Sequence, residues 1–255
     1  MTSIRHTVEV GDDRRSIAVL ADAGAAPGVL WLGGFRSEMT GSKAEAVAAA
    51  GRAAGRAVVR FDYSGHGASG GCFVDGTIGR WLAEATAVFD RFTDGPTILV
   101  GSSMGGWIAL LLARALAARG ALDRVRGLVL VAPAPDFTEA LMLPAFPPAM
   151  RAALERDGRV TLPSAYSDDP TVITRNFLEE ARDHLLLGAP IAIGRPVHVL
   201  QGMRDPDVPW RHALALVEAL GHDDVVLTLV KDGDHRLSRP EDVARLLAAI
   251  DEMAA

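Results

Sequence analysis

Short apolar runs rich in β-branched residues alternate along the chain with longer segments whose apolar positions recur every three or four residues. The first kind reads as strands over Ile4–Val10, Ser16–Ala21, Gly28–Leu32, Ala57–Asp62, Thr97–Val100, Val125–Val131, Val197–Gln201 and Val225–Val230. The second kind predicts helices over Lys43–Ala54, Ile78–Phe92, Gly105–Ala118, Trp210–Leu220 and Pro240–Met253. This order predicts an α/β fold with an eight-stranded, mostly parallel sheet flanked by helices. Gly11, Asp12 and Asp13 join the first two strands as a hairpin turn would, so the sheet is expected to begin antiparallel. A length of 255 residues fits one such domain over 1–255.

One stretch breaks the rhythm. Between residues 133 and 195 there are eight prolines and no convincing strand, although Thr171–Leu187 reads as helical. An insertion here follows a strand's carboxyl end, where open α/β sheets bind ligands, and long connections are often functional. A helical lid insertion over 133–195 is therefore expected. Leu141, Met142, Leu143, Phe146 and Met150 make its first part apolar. Packing against the sheet accounts for that best, with Leu143 and Phe146, beside Gly34, as candidate substrate contacts. Arg151, Arg175 and Arg182 are candidate partners for an anionic substrate, with solvated surface arginine as the default reading.

Composition narrows the classes further. With 49% hydrophobic and 23% charged residues the chain is ordinary globular protein, and its net charge of −6 comes with no basic run interleaved with aromatics. A nucleic-acid partner is not expected. The single cysteine, Cys72, excludes an intrachain disulfide and a multi-thiolate metal site; it is expected to be a buried or half-exposed spectator. The most apolar stretches, Trp107–Leu112 and Leu128–Ala134, fall short of the roughly 18 to 20 residues that cross a bilayer, so no membrane span is expected. The first residues show no basic segment leading into an apolar one, so no signal peptide is expected. Together with the lone thiol this gives an expected cytoplasmic location.

The chemistry is concentrated at Gly101-Ser102-Ser103-Met104-Gly105, a Gly-X-Ser-X-Gly sequence set between a predicted strand and a predicted helix. A serine at such a sharp turn takes a strained backbone conformation, and the glycines two residues to either side permit close approach of neighbouring chain. Ser103 is the candidate nucleophile. Its hydroxyl needs a histidine to take its proton and a carboxylate to orient that histidine. In sheets bearing this motif the chain order is serine, acid, histidine. Only His235, in the loop before the final helix, follows the last strand. Asp205 lies at the carboxyl end of the penultimate strand, three residues after Gly202. Asp207 is a competing acid or a cap for the next helix, and Asp136 and Asp234 are more distant alternatives. The oxyanion of a tetrahedral intermediate needs two backbone donors. Met104 supplies one, and Phe35, after Gly33-Gly34 at the end of an earlier strand, supplies the other.

On these residues the chain resembles the α/β-hydrolase superfamily throughout, and more closely its branch of mitochondrial palmitoyl-protein thioesterases that also act as acyl-glucuronide esterases. The resemblance rests on Phe61-Asp62-Tyr63-Ser64-Gly65, Val100 to Trp107, Pro163-Ser164-Ala165-Tyr166-Ser167, Gly202-Met203-Arg204-Asp205 through Trp210, and Asp234-His235-Arg236. It departs at His66, at many lid positions and in showing no mitochondrial targeting segment. It implies the α/β-hydrolase fold and Ser103, Asp205 and His235 as a catalytic triad, in agreement with the order-based assignment. The expected activity is hydrolysis of a small-molecule carboxylic ester or acyl thioester, or of an acylated protein, through an acyl-serine, with no metal or organic cofactor. A lyase, C–C hydrolase or acyltransferase on the same triad is the alternative, and a non-catalytic binding protein a remoter one.

Overall fold

In the central strands successive side chains point to opposite faces, and in this chain both faces are apolar. A computed structural model describes residues 3–163 and 170–255. In β3 (Ala25–Leu32), Val29 and Trp31 enter one core while Leu30 and Leu32 enter the other. The same alternation runs through β5 (Thr97–Ser102) and β6 (Val125–Val131): Ile98, Val100, Val129 and Val131 face one way, Leu99, Leu128 and Leu130 the other. Helices α1 (Ser42–Ala54) and α8 (Pro240–Ala254) cover the first face through Val47, Ala48, Leu246 and Ile250. Helices α2 (Ile78–Phe92), α3 (Met104–Ala118) and α7 (Trp210–Ala219) cover the second with Trp81, Trp107 and Leu216.

The remaining strands of the sheet are β1 (Ile4–Val10), β2 (Arg15–Asp22), β4 (Arg56–Phe61), β9 (Val197–Gly202) and β10 (Val225–Val230), and the spatial order is β1-β2-β4-β3-β5-β6-β9-β10. The expected eight strands are present. β1 pairs antiparallel with β2, and β2 with β4, while every other pair is parallel. The register aligns Leu32 with Gly101, Ser102 with Val131, and Gly202 with Val230. The loops that follow β3, β5, β9 and β10 therefore leave the sheet at one rim.

The segment between β6 and β9 corrects two expectations. It contains a strand pair, β7 (Arg159–Leu162) with β8 (Thr171–Thr174), where no strand was expected. Helix α6 (Arg175–Ala181) begins only after β8, so the helical reading of 171–187 fails at both ends. The β-branched run of Thr171 to Thr174 favours extended backbone, and the Thr174 hydroxyl caps α6 by accepting from the Phe177 amide at 3.1 Å. A π-turn over Thr138–Met142, the short α4 (Leu143–Ala145) and α5 (Pro148–Asp157) precede these elements. Pro144 and Pro148 lie in the first turns of their helices, where a missing N–H costs nothing. Residues 164–167 of the fragment Pro163-Ser164-Ala165-Tyr166-Ser167 lie outside the described residues. Cys72 is exposed, at the turn before Phe73–Asp75, and not buried or half-exposed as expected.

The loop after β4 is pinned by buried polar groups. Glu84 of α2 accepts from the Ser64 amide at 2.9 Å and from the Arg15 guanidinium at 2.6 Å. His66 is buried against Tyr63, Phe73 and Trp81, with ring centroids 5.8, 5.2 and 5.3 Å away. Burial pushes its pKa down to about 4, against the opposing hydrogen bond to the Ser64 carbonyl. An unfolded histidine takes up a proton near pH 6.5, whereas folded His66 does so only near its depressed value. Its contribution is thus intact above about pH 6.5 and is lost as pH falls toward about 4, at about 1.4 kcal/mol per pH unit. Melting temperature measured across this window should fall less steeply for His66→Gln than for the wild type. Parallel curves would refute the assignment.

Candidate active site

Ser103 sits between β5 and α3 with φ +54° and ψ −119°, a left-handed backbone that a residue with a Cβ resists. Neighbouring chain holds it there: its amide donates to the Val131 carbonyl at 2.9 Å, and its carbonyl accepts from the amides of Ala134 at 3.1 Å and Gly106 at 2.8 Å. The flanking glycines are required by proximity. A Cβ on Gly101 would lie 2.3 Å from the Gly105 carbonyl oxygen, and one on Gly105 only 2.0 Å from that of Leu32. The turn can form only where both side chains are absent.

Three loops meet at this turn. His235, after β10, places Nε2 3.1 Å from the Ser103 hydroxyl and Nδ1 2.8 Å from Asp205 Oδ2. The Asp205 side chain is fully buried, while that of His235 is 17% exposed. Asp205 Oδ1 accepts from the Asp207 and Val208 amides, both at 2.8 Å, and Oδ2 also accepts from Gln201 Nε2 at 3.1 Å. A carboxylate so placed fixes the tautomer with hydrogen on Nδ1, leaving the Nε2 lone pair to receive the serine proton.

The loop after β3 also reaches this turn. A Cβ on Gly34 would lie 3.4 Å from that of Ser103, so Gly34 abuts the nucleophile candidate directly. Met104 opens α3, and among the described residues neither its amide nor that of Phe35 has a hydrogen-bond acceptor. Two free donors therefore flank Ser103. The Phe35 ring packs against Phe73, Trp81, Phe137 and Phe177 with centroids 5.0 to 5.9 Å away. Phe146 is buried in the main apolar cluster, and Leu143 is half-buried against it.

The competing acids have other partners. Asp207 does not cap α7, whose capping position is Pro209 with no side-chain bond. Asp234 accepts from the Leu237 amide at 2.9 Å, within its own turn. Asp136 is buried and accepts from the amides of Leu186, at 2.8 Å, and Leu187, at 2.7 Å; burial raises its pKa. It thus ties the start of the β6–β9 segment to its end. The candidate anion-binding arginines are likewise engaged: Arg151 with the carbonyls of Phe146 and Leu143, Arg175 with that of Glu155, and Arg182 with Glu139. Asp205, Asp207 and His235 offer ligand atoms within 4.8 Å of one another, but both Asp205 oxygens are already bonded to amides or to His235.

Sequence reading missed three residues. Gln201, fully buried, bonds Asp205 and the carbonyls of Gly202 and Val208 from inside β9, where it reads as one more strand position. Lys43 of α1 donates to the Arg236 carbonyl, beside His235, and lies 3.5 Å from Ser238 Oγ. Burial pulls its pKa down to about 8. His66 Nε2 accepts from the Arg36 amide at 3.1 Å. No local pattern announces such contacts; only the rarity of lysine and a histidine between two glycines could have drawn attention.

The sequence profile of the alpha/beta hydrolase family matches residues 25–246. The mouse mitochondrial palmitoyl-protein thioesterase ABHD10 is 37% identical over 231 residues, covering 90% of this chain and 76% of that protein. The solved structure of mouse alpha/beta hydrolase domain-containing protein 10 superposes with a TM-score of 0.87 at 34% identity over 98% of both chains. A crystallographic structure from Agrobacterium vitis S4 superposes with a TM-score of 0.96 at 52% identity over 100% of both chains. The expectation of a cytoplasmic protein is overturned by the curated mammalian relatives, which are named as mitochondrial. A lone cysteine and an unremarkable start carry too little information to set a location. By profile, identity and superposition together, the chain belongs to the alpha/beta hydrolase family.

Proposed function

We propose that this chain hydrolyses carboxylic esters or acyl thioesters, with Ser103 as nucleophile, His235 as base and then acid, and Asp205 as the carboxylate that orients His235. The observation that carries the proposal is the continuous hydrogen-bond chain from Ser103 Oγ through His235 to Asp205. His235 Nε2 takes the hydroxyl proton as Oγ attacks the acyl carbonyl. The Phe35 and Met104 amides receive the resulting oxyanion. Collapse expels the alkoxide or thiolate, protonated by His235, and leaves an acyl-Ser103 ester. Water, deprotonated by the same nitrogen, then releases the carboxylic acid and restores the hydroxyl.

The substrate class draws support from the relatives, whose name specifies a palmitoyl-protein thioesterase, and from the apolar wall beside the oxyanion donors. Phe35, Phe73, Trp81, Val172 and Phe177 line a small apolar recess with room for about one water molecule. Such a surface suits the hydrocarbon part of an acyl group, carried by a small molecule or a protein. The 133–195 segment is the cover of this site: Phe177 of α6 stacks on Phe35 at 5.5 Å, so the segment reaches the oxyanion loop.

A fluorophosphonate probe tests the nucleophile. Wild-type protein should be labelled at Ser103 and the Ser103→Ala variant should not; equal labelling of the two would sink the reading. The orienting acid is tested by kinetics on activated esters. Asp205→Asn should lower kcat by roughly 10³- to 10⁴-fold, the loss expected when the histidine takes the wrong tautomer. Asp207→Asn should retain most of the activity, and the reverse ranking would transfer the role to Asp207.

A further inference from the structure

The loop that carries the Phe35 amide is not self-supporting. Gly34 accepts from the Ser37 amide at 3.0 Å, closing a turn with Phe35 and Arg36 at its centre. Arg36 has φ +57°, at the position where turns with a positive φ favour glycine or asparagine. Arginine pays a steric penalty there. Relaxation to negative φ would flip the Phe35–Arg36 peptide and re-aim the loop. The N–H of that same peptide, on Arg36, donates to His66 Nε2 at 3.1 Å.

The geometry points to His66 as a positioning residue that holds the Phe35–Arg36 peptide in its strained orientation, keeping the Phe35 amide aimed at the oxyanion. This inference rests on the reading of Phe35 as an oxyanion donor given above. His66 suits the role because its other nitrogen is committed. Nδ1 faces the Ser64 carbonyl at 3.1 Å and can only donate to it, so Nε2 is left as an acceptor. The ring cannot swing away, being packed among Tyr63, Phe73 and Trp81. Phe73 and Trp81 also hold the Phe35 ring, so one aromatic cluster fixes both ends of the contact. Burial disfavours the protonated imidazole, in which Nε2 would be a donor and clash with the Arg36 N–H.

The test pairs His66→Phe, which keeps a ring among the aromatics but offers no acceptor, with His66→Gln, which restores one. On an activated acetyl ester, His66→Phe should lose roughly 10- to 100-fold in kcat with little change in KM, the scale of a small misplacement in the site. Affinity for phenylboronic acid, whose Ser103 adduct is tetrahedral, should fall by the same factor. His66→Gln should recover most of both. A folded His66→Phe protein with wild-type kcat and boronate affinity overturns the inference, as does a loss of kcat with boronate affinity unchanged. Nitrogen-15 spectra of the wild-type imidazoles provide a check that needs no variant. They should show His66 neutral with hydrogen on Nδ1, and hydrogen on Nε2 would overturn the inference. Wild-type protein that fluorophosphonate fails to label would sink the Ser103 reading and this one with it. Labelled wild type with an unaffected His66→Phe sinks only the role of His66.

Discussion

The left-handed backbone at Ser103 is the constraint on which the rest of the site depends. A non-glycine residue held at φ +54° costs of the order of 1–3 kcal/mol, and such a conformation persists only where the surroundings over-determine it. Here they do. The end of β6 supplies an acceptor for the Ser103 amide, and the residues just after it supply a donor for its carbonyl. Helix α3 can start at once only because Gly105 lets it press onto the Leu32 carbonyl. Beside this turn Gly34 abuts the serine, and the free Met104 amide follows it in the chain. Strain at one residue, hydrophobic packing of α3 and the placement of two donors are a single geometric fact.

That fact explains why so much of the site was legible in the sequence. A Gly-X-Ser-X-Gly run between strand and helix encodes the turn itself, since each glycine stands where a Cβ would collide with backbone. Parallel strands in the order found put their carboxyl ends at one rim, so a histidine after β10 and an aspartate after β9 must converge on the same place. Chain order therefore singles out His235 and Asp205, and the structure links both to Ser103 in one chain of hydrogen bonds. Asp205 is favoured over Asp207 by its place at the strand's end, and the structure adds that Asp207 donates its amide to Asp205.

The region between β6 and β9 was read least well, for a definite reason. Proline is a helix breaker in mid-helix and a helix starter in the first turn. Pro144 and Pro148 are starters, which a count of prolines cannot distinguish. The β7–β8 pair was equally hidden, because four-residue strands leave too few alternating positions to register a period. Asp136 is instructive in the same way. Read as a spare acid, it is instead the buried group that gathers the Leu186 and Leu187 amides and so closes the segment on itself.

A division of labour follows from where these legible and hidden residues lie. Ser103, Asp205 and His235 belong to short loops whose positions in the chain bring the three side chains together. Each loop is then fastened by a residue from elsewhere: Asp205 by Gln201 inside β9, the His235 loop by Lys43 on α1, and the Phe35 loop by His66 after β4. None of the three fasteners belongs to the motif that announces the chemistry, and Lys43 and His66 act across long sequence separations. All three use a polar side chain to hold a backbone group, so their value depends on burial: an exposed glutamine, lysine or histidine would exchange the same contact for water at little cost. Precision in this site is thus a property of the packed core beneath it, which is why the type of reaction can be read from a motif while the efficiency of that reaction cannot.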